Sequence, residues 1–167
     1  MMRSLVLFAC LVALVAGCGK KSRDKAIERQ IEKQMGGSAD ATMSDKGLSI
    51  KGRTESGEVE MTAGDQARVP DGFPKDIPLY AGAELRSGMK VEQGFSVSLT
   101  TTDQVAAVAE WYQKRMEKEG WTQKTSMNMG VQMMFMYEKD GRTANMVVAE
   151  NPRGEGTMIT LTVSERT

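Results

Sequence analysis

Residues 94–121, GFSVSLTTTDQVAAVAEWYQKRMEKEGW, change from one hydrophobic period to another and so decide the fold. In the first part, Phe95, Val97 and Leu99 alternate with polar residues, which is typical of a strand with one buried face. Further along, apolar residues recur at the spacing of one helix face: Val105, Val108, Ala109, Tyr112 and Met116. The stretch therefore predicts a strand followed by an amphipathic helix that packs on a sheet.

Both ends of this helix carry sequence signals. Thr101 and Gln104 have the spacing of a capping box, in which each side chain bonds the backbone N–H of the other residue. Gly120 is the residue expected just past the helix, and Trp121 after it can fold back on Met116. These signals predict a helix that begins after Thr101 and ends before Gly120.

Strands are predicted on both sides of the helix. Alternating residues indicate a strand at 85–91, and Gly94 turns the chain into the strand quoted above. After the helix, alternation predicts three more strands, at 131–138, 142–150 and 157–164. The dipeptide Asp140-Gly141 is a strong two-residue hairpin signal between the first two of these. The expected fold class is α+β, an antiparallel sheet in ββαβββ order packed by one helix.

A short helix and a small β-meander are expected before this domain. Residues 20–35 place Ile27, Ile31 and Met35 on one narrow stripe, which predicts a helix that is marginal by itself. Residues 38–63 alternate with period two and contain turn signals about ten residues apart, which predicts three strands. We expect the helix stripe to cover the weak apolar face of these strands.

Prolines separate the meander from the larger domain. Pro70, Pro74 and Pro78 recur within residues 64–83 and disfavour both helix and central strand, which indicates a linker. The sequence therefore predicts four segments: a signal peptide at 1–17, a lipid-anchored helix and meander at 18–63, a Pro-rich linker at 64–83 and an α+β domain at 84–167.

The N-terminus resembles the signal peptide of bacterial lipoproteins. The apolar run from Leu5 to Ala16 follows the basic Arg3 and is too short to cross the ~30 Å hydrocarbon core of a bilayer. It ends in Val15-Ala16-Gly17-Cys18, which resembles a lipobox, the motif recognised by the lipoprotein signal peptidase. The resemblance implies cleavage before Cys18, a diacylglyceryl group on the Cys18 thiol and an acyl chain on the new amine.

The same resemblance implies a location in the cell. A lipid-anchored protein of this kind lies in the cell envelope, and Gly19, rather than an Asp, after the lipidated residue favours the outer membrane, facing the periplasm. Cys10 leaves with the signal peptide, so the mature chain is expected to have no disulfide and no cofactor besides the covalent lipid.

The C-terminal half resembles a module of small, uncharacterised bacterial envelope lipoproteins. Two stretches carry the resemblance, FPKDIPLYAGAEL from residue 73 and WYQKRMEKEGW from residue 111. It covers about residues 70–167 and implies the architecture and the envelope location, without an activity.

Composition excludes several classes of function. The chain has no His, which removes Ser–His–Asp and Cys–His catalysis and His-ligated metals. Its 22 basic residues balance 22 acidic ones, whereas a nucleic-acid-binding protein normally has a basic surplus. We therefore expect no enzyme, no catalytic residue and no nucleic-acid partner.

Methionine is the unusual residue of this chain, with 14 occurrences. Period two predicts that Met134, Met136, Val147 and Met158 share the face of the sheet opposite the helix, where they form a candidate interaction surface. The alternative is a Cu(I) site at Met127, Met129, Met134 and Met136, since thioethers are soft ligands.

These observations combine into one functional expectation and one alternative. The chain is expected to be a lipid-anchored envelope protein with a non-catalytic interaction or structural domain, whose partners are the membrane and another envelope protein. The alternative is a periplasmic lipoprotein that binds a small molecule or Cu(I).

Overall fold

The computed structural model describes residues 38–44, 46–54 and 57–165. Within these residues the chain forms nine strands and one helix: β1 (Ser38–Ser44), β2 (Gly47–Thr54), β3 (Gly57–Gly64), β4 (Glu84–Val91), β5 (Gly94–Thr101), α1 (Val105–Lys118), β6 (Thr122–Asn128), β7 (Gln132–Lys139), β8 (Arg142–Glu150) and β9 (Thr157–Glu165).

The nine described strands pair in one antiparallel sheet, in the order β1-β2-β3-β4-β5-β9-β8-β7-β6. Strands β5 and β9 pair over eight residue positions, from Gly94↔Ser164 to Thr101↔Thr157. By contrast, β3 joins β4 over only four, from Glu60↔Lys90 to Ala63↔Ser87. The meander β1–β3 is thus an extension of the larger sheet, attached through a short ladder.

The expected α+β fold, a sheet in ββαβββ order that follows a separate meander, is wrong. The meander pairs with β4 and lies in the same sheet, and β6 adds a strand directly after the helix. This strand was missed because every residue in it is exposed, so it has no apolar alternation. The helix expected at residues 20–35 lies outside the described residues, and the division at residues 63 and 83 stays a prediction.

Helix α1 packs on one face of the sheet, and the core lies between them. Its buried residues are Val108, Ala109, Tyr112 and Met116. They meet the inward-facing residues of the central strands: Val97, Leu99, Phe135, Tyr137, Ala144, Met146, Val148, Ile159, Leu161 and Val163. The face that carries these residues is called the inner face below.

The sequence signal is confirmed at the C-terminus of the helix and is wrong at its N-terminus. At the C-terminus, Trp121 N–H donates to Met116 O at 3.0 Å and Gly120 N–H donates to Glu117 O at 2.9 Å, so the predicted Schellman motif is confirmed. At the N-terminus, Gln104 makes no side-chain capping bond, so the predicted capping box is wrong. Thr101 Oγ1 instead accepts a bond from the Asp103 N–H at 3.3 Å.

The Pro-rich segment between β3 and β4 lies against the core. Ile77 is only 3% exposed. The Tyr80 N–H donates to the buried Tyr112 hydroxyl at 3.1 Å, and Trp121 Nε1 donates to Asp76 O at 2.9 Å. These contacts hold the segment against Tyr112 of the helix and against Trp121, which follows the helix.

Candidate functional site

The two faces of the sheet differ in what covers them. On the inner face, Val108, Tyr112 and Met116 of the helix are 0% exposed, and the strand residues beneath them are nearly as buried. The space between helix and sheet is therefore filled by the protein's own side chains. The other face, called the outer face below, is the one that the helix leaves open.

The four residues expected to form an interaction surface lie together on this outer face. Met134 is directly opposite Val147, Met136 is opposite Asn145, and Met158 is opposite Ala149. Each of the four alternates with buried residues of its own strand and is itself partly exposed. The structure thus gathers these side chains on one surface, while their role in an interaction stays a prediction.

The outer face carries no charged side chain across β5, β9, β8 and the first part of β7. Its residues there are Ser96, Ser98, Thr100, Met158, Thr160, Thr162, Asn145, Val147, Ala149, Gln132, Met134 and Met136. Ion pairs stand at two of its borders, Lys124 with Glu138 at 3.7 Å and Arg86 with Glu84 at 2.7 Å. This neutral area is apolar towards β7 and rich in hydroxyl groups towards β5.

The β6–β7 hairpin extends the outer face with two more methionines. Met127 is directly opposite Met134, and the Met129 N–H donates to Gln132 O at 2.9 Å, which continues the register. The Gln132 amide nitrogen lies 3.3 Å from Met129 Sδ and 3.8 Å from Met134 Sδ. Met127 and Met129 are 48% and 60% exposed. The four methionines of the expected Cu(I) alternative therefore share one face of one hairpin.

The residues expected to carry the lipid anchor lie outside the described residues. These are Cys18, the attachment point, and Val15, Ala16 and Gly17, the peptidase recognition residues. Their assignment stays a prediction. Among the residues that the structure does describe, no helix is long and apolar enough to cross a membrane.

One polar cluster was missed by the sequence reasoning. Asp76 accepts hydrogen bonds from Arg142 at 2.7 and 3.0 Å and from Lys139 at 2.8 Å. The Arg142 guanidinium also lies 5.0 Å from the centre of the Trp121 ring. Hydrogen bonds from Arg142 and Lys139 outweigh partial burial and lower the pKa of the Asp76 carboxyl to about 2. The one sequence feature that could have pointed to this cluster is an Asp among the prolines, and its partner Arg142 lies 66 residues further along the chain.

A shallow depression of about 320 Å³ lies beside this cluster. It is lined by Gly120, Thr122, Lys124, Glu138, Lys139, Asp140, Gly141 and Arg142. Its cations are engaged within the chain, since Arg142 and Lys139 bind Asp76 and Lys124 pairs with Glu138. We therefore assign the cluster a structural role, which is to hold the Pro-rich segment against the β7–β8 hairpin.

The described residues also bear on metal binding. Within 38–44, 46–54 and 57–165, no three His, Cys, Asp or Glu side chains come together as a metal site. The methionine sulfur atoms of the β6–β7 hairpin are soft metal ligands of a different kind from these side chains.

Comparison with protein families gives one match. Residues 84–160, a little under half of the chain, match a family described as START domain-like. No curated protein matches the chain, and no solved structure matches it. The helix, the β6–β7 hairpin and all of the outer-face residues named above except Thr162 lie within the matched residues.

Proposed function

We propose that this chain is a lipid-anchored protein of the bacterial cell envelope, whose sheet is a non-catalytic module that binds an uncharged surface of another envelope protein. The observation that carries the proposal is the contrast between the two faces. The helix and the core side chains fill the inner face of the central strands, while the outer face places Met134, Met136, Val147 and Met158 beside neutral polar residues. The lipid anchor on Cys18 is supported by the resemblance of Val15-Ala16-Gly17-Cys18 to a lipobox.

The chemistry of the outer face favours an uncharged partner. A charged group docked against Met134 and Val147 would lose hydration without gaining an opposite charge, which is costly. The ion pairs at the borders, such as Lys124 with Glu138, are already satisfied within the chain. Methionine side chains adapt to varied apolar shapes, which suits such a contact.

Two observations favour a binding module over an enzyme or an enclosed ligand site. The Asp76 carboxyl is bound by Arg142 and Lys139 and has a pKa of about 2, far from the value that a general acid or base needs near neutral pH. The helix–sheet interface is filled by buried side chains such as Tyr112, whereas a ligand site needs a cavity.

The proposal is tested by site-specific photocrosslinking in intact cells. A photoreactive amino acid is placed at Asn145 or Thr162, two exposed positions of the outer face, and at Glu117, an exposed position of the helix, as the matched control. We expect one discrete crosslinked product from both sheet positions and none from the helix. The product is identified by mass spectrometry, and the partner is then purified.

Binding of the purified partner tests the stated chemistry. We expect its affinity to change little between low and high salt, since screening weakens contacts between charges, and we expect Met134→Glu with Met136→Lys to abolish it. Equal crosslinking from Glu117 would overturn the outer face as the site. Loss of affinity at high salt, or a product that is a second copy of this chain, would overturn the uncharged envelope partner.

A further inference from the structure

The β6–β7 hairpin carries exposed methionines, Met127 and Met129, in addition to those of the proposed contact surface. Three of the five large hydrophobic residues that are exposed in the described chain lie here: Met127, Met129 and Val131. Two of them are methionines, and a third methionine, Met134, lies directly opposite Met127 on the same face. Residues 125–137 contain no charged residue.

We propose that this hairpin binds a soft monovalent metal ion, Cu(I), through the sulfur atoms of Met127, Met129 and Met134. Directly opposed residues of an antiparallel pair have Cβ atoms about 5 Å apart, so the Met127 and Met134 sulfurs can reach one ion. The Met129 and Met134 sulfurs already share a neighbour, because the Gln132 amide nitrogen lies 3.3 and 3.8 Å from them. Three flexible thioethers therefore lie on one side of the hairpin.

The ligand set selects the metal. Thioether sulfur is a soft, neutral ligand that suits Cu(I), whereas Zn²⁺, Mg²⁺ and Ca²⁺ prefer imidazole, thiolate or oxygen ligands. The chain has no His, and the hairpin has no carboxylate between Lys124 and Glu138. On binding, each sulfur donates a lone pair to the ion, and the Gln132 amide gives up its contacts with sulfur. No proton leaves a ligand, so affinity is expected to be independent of pH near neutrality.

The sheet supplies a matched control for this site. Met61 and Met89 are also directly opposed on the same face, at the junction of β3 and β4. Replacing this pair by Leu makes the same chemical change at a distance from the hairpin. The variants to compare are Met127→Leu/Met129→Leu/Met134→Leu and Met61→Leu/Met89→Leu.

The experiment measures Cu(I) transfer from a chromogenic chelator to the purified full chain in detergent, without oxygen and with ascorbate present. We expect one Cu(I) per chain, an affinity at least tenfold weaker in the triple hairpin variant, and an unchanged affinity in the control pair. A hairpin variant that binds as well as the wild type overturns the site, as does an equal loss in the control pair.

A second measurement on the wild-type chain avoids any effect of the substitutions on folding. Ag(I), a redox-stable substitute for Cu(I), is titrated into protein with ¹³C-labelled methionine methyl groups. We expect the signals of Met127, Met129 and Met134 to shift together and saturate at one equivalent, while those of Met61 and Met89 stay in place. Unselective shifts of many methionines, or none, would overturn the proposal whatever the outcome at the protein-contact surface.

Discussion

Arg142 binds the carboxylate of Asp76 through both terminal nitrogens, from Nη1 to Oδ1 at 3.0 Å and from Nη2 to Oδ2 at 2.7 Å. This bidentate pair joins the Pro-rich segment to the start of β8, and Lys139 at the end of β7 adds a third bond at 2.8 Å. Each partner is about one-quarter exposed, so the pair is partly protected from water. It fastens the Pro-rich segment to the β7–β8 hairpin.

Asp76→Asn is expected to lower the free energy of unfolding at neutral pH by about 1–3 kcal/mol, because Arg142 and Lys139 lose their anion. The pKa of Asp76 is depressed in the folded state, so the ion pairs contribute fully well above 3.8, the ordinary pKa of the carboxyl. The contribution is lost as the pH falls through about 2. Denaturant unfolding of both proteins from pH 7 down to pH 2 measures the difference.

The matched control is Asp71→Asn, an exposed Asp of the same segment. We expect it to change stability by less than about 0.5 kcal/mol at any of these pH values. A stability difference between the wild type and Asp76→Asn that stayed constant as the pH fell towards 2 would contradict the assigned role of the carboxylate.

The Pro-rich segment is expected to be part of the folding unit of β4–β9. A fragment of residues 70–167 should melt cooperatively, because it keeps Ile77 in the core and the bond from Trp121 to Asp76 O. A fragment of residues 84–167 lacks both, and also the Tyr80 N–H that binds the Tyr112 hydroxyl. We expect it to melt at a lower temperature or without cooperativity, as followed by circular dichroism and calorimetry.

Two outcomes would revise this boundary. If the 84–167 fragment were as stable as the longer one, the segment would be a linker, as its prolines first indicated. If the 70–167 fragment failed to melt cooperatively, the strands β1–β3 would be required, despite their short ladder with β4.

Local structure was predictable from the sequence where a particular residue type is needed for a particular backbone conformation. Gly120 has a φ of +84° and closes the helix, as its position after the amphipathic stretch indicated. Asp140 and Gly141 both have positive φ, of 48° and 75°, as a two-residue hairpin turn requires. The alternation of Phe135 and Tyr137 with Met134 and Met136 likewise assigned the two faces of β7, since period two follows from strand geometry.

The remaining features depend on partners that are distant in sequence. Strand β6 has the sequence TQKTSMN and is exposed along its length, so its place at the edge of the sheet comes from pairing with β7. Strands β3 and β4 pair although the Pro-rich segment separates them in the sequence, and no local sequence signal predicts this pairing. The bonds of Asp76 to Lys139 and Arg142 span more than 60 residues, so the sequence shows an Asp among the prolines without identifying its partners.

Cys18→Ser is expected to abolish lipid attachment, because the serine hydroxyl does not take the place of the thiol in the lipobox chemistry. Each buried CH₂ of an acyl chain contributes about 0.8 kcal/mol, so loss of the chains should release the protein from membranes. Detergent partitioning and gel mobility measure the change. Cys10→Ser, within the signal peptide, is the matched control and should leave both unchanged. Unaltered partitioning of Cys18→Ser would contradict the anchor.

The last prediction separates the two faces of the sheet by placing charged residues at methionine positions on each. Met134→Glu with Met136→Lys places opposite charges on the outer face, where both side chains are partly exposed. We expect the free energy of unfolding to stay within about 1 kcal/mol of the wild type, as is usual for surface changes. Denaturant unfolding of the full chain measures it, and partner binding on the outer face should be lost.

Met146→Glu is the control, since Met146 is opposite Phe135 on the inner face and is 1% exposed. It buries a carboxylate against the helix, which should cost about 4 kcal/mol or more or prevent folding, because a buried charge without a partner is strongly unfavourable. Comparable destabilisation by the outer-face pair would mean that Met134 and Met136 are core residues. The outer face would then not be free for a partner, and the proposed function would lose the observation that carries it.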